Sequence, residues 1–235
     1  MAPALHDRVI VVTGGFGALG RALAAVLAEQ GARTVLLDRS AAPAGLAADE
    51  RTLLLSGVDL GSEGGAAGAA QAAFAQVVQH WQRIDGLVNV AGGFAWETVA
   101  EGSLATWDRL YAMNLRSAVA ASQAALPHLN AGARIVNIGA LAAQKAAAGM
   151  GAYAASKAGV MRFTEALAEE LKERGITVNA VLPSIIDTPA NRADMPSAAF
   201  DRWVTPRALG RVVAFLLSDD AAAITGACLP VAGRV

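Results

Sequence analysis

Only one cysteine, Cys228, occurs in 235 residues, so no internal disulfide can form, and the chain suits a reducing, cytoplasmic setting. Charge of one sign is also missing. The 19 basic and 20 acidic residues leave a formal net charge of −1, and the basic ones are scattered, so no nucleic-acid footprint is expected. No apolar run approaches the roughly 18 residues that cross a bilayer, and the N-terminus lacks the succession of basic region, apolar stretch and cleavage site of a secretory signal. Neither membrane association nor export is expected. His6, His80 and His128 are too dispersed for metal-ligand spacing, so no metal site is predicted. Tyrosine occurs twice and lysine three times, which gives weight to any motif that uses both.

What is present is 54% hydrophobic and 17% charged, a composition suited to a parallel sheet covered on both faces. Apolar strands are predicted at 8–13, 34–37, 53–59, 86–91, 134–138, 177–182 and 227–231. Helical spacing is found over 18–30, 65–83, 104–129, 153–174 and 207–217. Strands alternating with helices imply βαβ units, and therefore an α/β, Rossmann-type, doubly wound parallel sheet. Nothing divides residues 1–235 into two domains. Residues 183–206 are irregular and proline-bearing, as a segment covering a substrate would be.

Between the first strand and first helix lies Gly14-Gly15-Phe16-Gly17-Ala18-Leu19-Gly20. Glycines there let the backbone turn tightly and approach a pyrophosphate, which the free N–H groups of the helix start would hold. Asp38 ends the second strand, where a carboxylate can accept from the adenosine ribose and repel a 2′-phosphate. NAD(H) is therefore favoured, although the neighbouring Arg39 would tolerate the extra phosphate of NADP(H).

Tyr153 and Lys157 are four residues apart on a predicted helix and share one face. The ammonium is expected to lower the phenol's pKa, producing an acid–base group for carbonyl or imine chemistry. Phe94, Trp96 and Trp203 are candidates for stacking on a flat heterocycle. Asn191 and Gln144 are candidates for polar contact with a substrate.

With these pieces in place the chain resembles the short-chain dehydrogenase/reductase family over essentially its full length. The carrying motifs are the glycine loop, Asp59-Leu60, Asn89-Val-Ala-Gly92, Asn114, Tyr153-Ala-Ala-Ser-Lys157 and Asn179-Ala-Val-Leu-Pro183. The resemblance implies that Asp59 and Leu60 border the adenine, and that Asn89, Ala91 and Gly92 line the cofactor cleft. It implies that Asn114 holds a water in a proton relay and that Lys157 grips the nicotinamide ribose. Pro183 would join the cofactor contacts, with Ile186 and Thr188 meeting the carboxamide. It also implies a homodimer or tetramer paired through helices 104–129 and 153–174.

One departure bears on chemistry. The family's catalytic serine lies 13 residues before the tyrosine, and here that residue is Ala140. Losing such an oxyanion donor costs about 2.7–4 kcal/mol in comparable sites, which a strongly electrophilic substrate would not need. The quinonoid dihydropteridine reductase branch shares this alanine, together with Gly149-Met150 and the loop Asp187-Thr-Pro189, Asn191-Arg192, Met195-Pro196, Phe200, Trp203 and Thr205-Pro206. Reduction of a quinonoid dihydropterin is therefore the expected activity. The alternatives are a general carbonyl or alcohol oxidoreductase in which Gln144 or water replaces the serine, and a catalytically silent dinucleotide-binding regulator.

Overall fold

The computed structural model describes residues 4–235. Seven strands form one wholly parallel sheet: β1 (Val9–Thr13), β2 (Arg33–Leu37), β3 (Thr52–Leu55), β4 (Ile84–Asn89), β5 (Leu129–Ile138), β6 (Thr177–Pro183) and β7 (Cys228–Val231), in the order β3-β2-β1-β4-β5-β6-β7. Seven helices connect them: α1 (Ala18–Glu29), α2 (Ala66–Trp81), α3 (Leu104–Tyr111), α4 (Ser117–Ala125), α5 (Gly151–Leu171), α6 (Pro189–Asp194) and α7 (Pro206–Leu217). None of these helices is long and apolar enough to cross a membrane.

The strand sequences explain the two layers. Successive side chains of a strand point to opposite faces, so Val9 and Val11 join one core while Ile10 and Val12 join the other. The first core is closed by Phe74 and Val77 of α2, the alanines of α4, and Leu167 and Leu171 of α5. The second is closed by Leu23 and Leu27 of α1 with Leu209, Val213 and Leu217 of α7. Burying each such side chain contributes about 1.5–3 kcal/mol, which is why these strands are uninterrupted apolar runs.

Some predicted boundaries shift. The third strand ends at Leu55 instead of continuing to Asp59, because Gly57 takes a left-handed turn at φ +75°. The helix expected over 104–129 is broken by a π turn at Ala112–Arg116 and a closing 3-10 turn at Leu126–His128. The proline-bearing segment contains a short helix, α6, started by the Thr188 hydroxyl accepting the Asn191 N–H at 3.2 Å and by Pro189 in the first turn.

Strand order reverses between β1 and β4, so a crevice opens at the carboxyl ends of these strands. The amino ends are built differently. Arg8, Arg33, Arg51 and Arg83 stand at the starts of β1 to β4 and are paired: Arg8 with Asp219 (2.5 Å), Arg33 and Arg51 with Asp7 (3.4 and 3.0 Å), and Arg83 with Asp85 (2.6 Å).

Candidate active site

The β1–α1 loop is pressed against its neighbours, and its glycines are required by that closeness. Gly14 has φ +63°, and a Cβ there would sit 2.9 Å from the Cα and N of Ala91. One on Gly15 would lie 2.7 Å from the Cβ of Leu36, and one on Gly20 would collide with the Gly14 carbonyl oxygen. Gly17 precedes α1 and no side chain caps the helix, leaving first-turn N–H groups open to an anion. This cradle suits a dinucleotide pyrophosphate. Phe16 and Leu19 contribute backbone to it while their side chains pack into the α1–α7 core.

Beside the loop, Asp38 accepts the Phe16 N–H at 3.1 Å and the Ser40 N–H at 3.0 Å. The carboxylate thus ties the glycine loop to the end of β2. A hollow of about 120 Å³ is lined there by Gly14, Asp38, Arg39, Asp59, Leu60, Ala91 and Gly92, among others, bringing together seven residues predicted to hold the cofactor. Asn89 does not join them. Its amide turns inward, donating to Asn137 Oδ1 at 2.8 Å and Ser122 Oγ at 3.2 Å, because its place in β4 faces β5 and α4 and not the crevice.

α5 carries Tyr153 and Lys157. Lys157 is buried and donates to the Ile138 carbonyl at 2.7 Å, and a Cβ on Gly92 would lie 3.4 Å from its Nζ. Burial pushes the Tyr153 phenol up to about 12 and the Lys157 ammonium down to about 8. The expected lowering of the phenol by its lysine is therefore reversed, because removal from water disfavours the charged form of each group. Phe94 stands edge-on to Tyr153 with ring centroids 5.0 Å apart.

Asn114 sits in the π turn. Its Oδ1 accepts the Gly93 N–H at 2.8 Å, and its Nδ2 donates to the Gly93 carbonyl at 3.1 Å and to Ser156 Oγ at 2.9 Å. The amide therefore braces the β4 exit against α5, with both N–H donors used and one acceptor position left on Oδ1.

A second cavity, about 760 Å³, opens beside Tyr153. Phe94, Ala140, Gln144 and Asn191, predicted to meet a substrate, line it, and so does Pro183, predicted to contact the cofactor; Trp96, Leu141, Lys145, Met150, Asp194 and Met195 complete much of the wall. The methionines, Leu141, Lys145 and Asp194 carried no motif spacing; Met150 and Met195 lay within the stretches resembling the pterin branch, but as markers of likeness only. Trp203 does not reach the cavity. It is 7% exposed and packs on Phe200 at 4.9 Å, so it holds the segment together. Ile186 pairs with Val204, and the Ile186 carbonyl accepts from Asn191 Nδ2 at 2.7 Å. Thr188 spends its hydroxyl capping α6. Ala140, 4% exposed, presents a methyl group where a hydroxyl would have donated. No group of three or more His, Cys, Asp or Glu side chains gathers as a metal site among the described residues.

A nucleotide crevice next to a cavity lined by a half-buried tyrosine, with a buried lysine one helical turn along, can position a redox cofactor against a small molecule and exchange a proton with it. Known proteins are similar to this chain over nearly its whole length. The chain is 32% identical over 253 residues to 2-(S)-hydroxypropyl-CoM dehydrogenase 3 of Xanthobacter autotrophicus, covering 99% of this chain and 98% of that protein. It is 31% identical to the 3-oxoacyl-[acyl-carrier-protein] reductase FabG of Vibrio cholerae, with 97% of each covered. A blue fluorescent protein from a metagenomic library, solved in complex with NADPH, superposes with a TM-score of 0.89 at 32% identity over 98% of both chains. Residues 8–198 match the short chain dehydrogenase family, and the protein belongs to it as an oxidoreductase that uses a nicotinamide dinucleotide.

Proposed function

We propose that this enzyme reduces a quinonoid dihydropterin to the tetrahydropterin, with Tyr153 as the proton donor. The observation that carries the reading is Ala140: the cavity wall beside Tyr153 offers a methyl group instead of an oxyanion donor. A quinonoid ring regains conjugation on reduction and needs less electrostatic help than a ketone. The aromatic and methionine lining of the cavity also suits a flat heterocycle.

A bound dinucleotide would supply the hydride, its pyrophosphate on the 14–20 loop and its adenosine beside Asp38, Arg39, Asp59 and Leu60. Tyr153 delivers the proton, so that two electrons and two protons reach the ring in total. Lys157, one turn along α5, supports the phenol and the ribose. Pro183, Ile186 and Thr188 border the nicotinamide end. Asp38 favours NADH: Asp38→Ala is expected to raise KM for NADH about tenfold and to shift the preference toward NADPH, as steady-state kinetics with both cofactors will measure. Exposed Leu104, Trp107 and Tyr111 on α3 support pairing of subunits through that face.

The names of the relatives favour a second reading, an oxidoreductase acting on an ordinary carbonyl or alcohol. Ala140→Ser separates the two. Under the pterin reading it adds roughly ten- to hundredfold to turnover of a ketone panel and changes pterin reduction little, because it restores a missing donor. Fast ketone turnover by the wild type, with no gain from serine and no pterin reduction, would replace the first reading with the second.

A further inference from the structure

The cavity beside Tyr153 is lined by two charged residues that do not meet. Asp194 ends α6, Lys145 lies between Ala140 and α5, and neither forms a hydrogen bond or ion pair among the described residues. The other acids of this segment are neutralised. Asp187 is held by Arg192 through two bonds of 2.6 and 2.8 Å, and Asp201 pairs with Arg234 at 3.3 Å. Arg192, the cation closest to Asp194 in sequence, also lies over the Phe200 ring at 4.7 Å, so it is doubly engaged. Asp194 is thus the one acid of the 183–206 segment without a partner among the described residues; it is exposed, at the open rim of a mostly apolar cavity.

Another wall of that cavity is flat and fixed. Trp96 is 62% exposed, yet its Nε1 donates to the Ala148 carbonyl at 3.0 Å and its ring lies so close to Gly149 that any Cβ there would overlap it. An aromatic face held in place but left open is suited to receive another ring.

We propose that Asp194 is a specificity-determining residue that accepts the two neighbouring N–H donors of a 2-amino-4-oxopyrimidine edge, with the ring against Trp96 and Lys145 donating to the adjacent carbonyl oxygen. A carboxylate matches two parallel N–H groups, and such charge-assisted bonds are about twice as strong as neutral ones. The inference rests on the pterin reading and assigns which edge of the ring enters the cavity.

The test is steady-state kinetics on wild type, Asp194→Asn and Asp194→Glu. The acceptors are quinonoid dihydropterin and its analogue carrying a dimethylated 2-amino group, which lacks the exocyclic N–H donor and sets a methyl group beside the remaining ring N–H. Asp194→Asn is expected to raise KM for the pterin at least tenfold, with kcat and KM for NADH within twofold, and Asp194→Glu to recover part of the loss. The dimethylated analogue is expected to bind the wild type at least tenfold more weakly than the pterin does, and to be insensitive to Asp194→Asn. Wild type that reduces the pterin while Asp194→Asn leaves its KM unchanged, or weakens both acceptors equally, overturns the role of Asp194 and leaves the pterin reading standing. A wild type that reduces no pterin overturns both.

Discussion

Tyr153→Phe is expected to lower kcat at least a hundredfold while the dissociation constant for NADH stays within twofold. Removing a positioned general acid costs about 10²- to 10⁴-fold; Ala140 has no hydroxyl to take over, and that of Ser184, which also lines the cavity, is donated to the Ala232 carbonyl at 2.6 Å. Phenylalanine keeps the ring that meets Phe94 at 5.0 Å, so packing should survive and the loss can be assigned to the proton. Burial holds the phenol near 12, so it is protonated throughout the neutral range and available to a reduction. The reverse reaction needs the phenolate and should accelerate as pH rises toward that value. Stopped-flow and steady-state rates of NADH oxidation, with fluorescence titration of NADH, check this. A kcat within fivefold of wild type would remove Tyr153 from the chemistry.

The second large effect belongs to the glycine loop. Gly14→Val is expected to raise the dissociation constant for NADH more than a hundredfold. Valine would have to adopt φ +63°, and its Cβ would stand 2.9 Å from the backbone of Ala91. Overpacking of this kind typically costs about 1–3 kcal/mol, and the strained φ adds to it. The loop can escape only by moving off β4, which would open the cradle. NADH fluorescence titration reports binding, and a thermal melt, expected to fall by several degrees, separates displacement of the loop from global unfolding. Wild-type affinity in this variant would mean that the pyrophosphate lies elsewhere.

Much of the scaffold was legible because a parallel sheet buried on both faces writes itself as apolar runs. Val9–Val12 and Val178–Leu182 needed no context to be recognised as strands. β5 was harder: it starts at Leu129, but Asn130, Ala131 and Gly132 are exposed and carry no apolar signal, so only 134–138 was visible. The π turn at Ala112–Arg116 was invisible, since the extra residue in the turn changes backbone bonding without changing helix-forming composition. α6 left a sign that went unread, a threonine followed by proline, the usual opening of a helix.

The site divides in the same way. Gly14, Asp38, Tyr153 and Lys157 follow from fixed spacing on neighbouring elements; the structure places the first three around one crevice and the adjoining cavity, with Lys157 buried behind them against the Ile138 carbonyl. Asn89 and Trp203 were misjudged because sequence gives a residue's position but not which way its side chain turns, inward to Asn137 in one case and onto Phe200 in the other. Asp194 and Lys145 belong to no repeating pattern. They come to line one cavity, without touching, only through the fold of the 183–206 segment and the turn after β5.

The row of arginines beneath the sheet gives the molecule two ends with different sensitivities. Exposed ion pairs such as those of Asp7 weaken as mobile ions crowd around them, with a screening length of about 8 Å at physiological ionic strength. The crevice lies at the opposite strand termini, some five residues of extended chain away along β1. Salt should therefore loosen the floor of the protein well before it disturbs the chemistry above, and the floor is where a designer can rework charges without touching turnover.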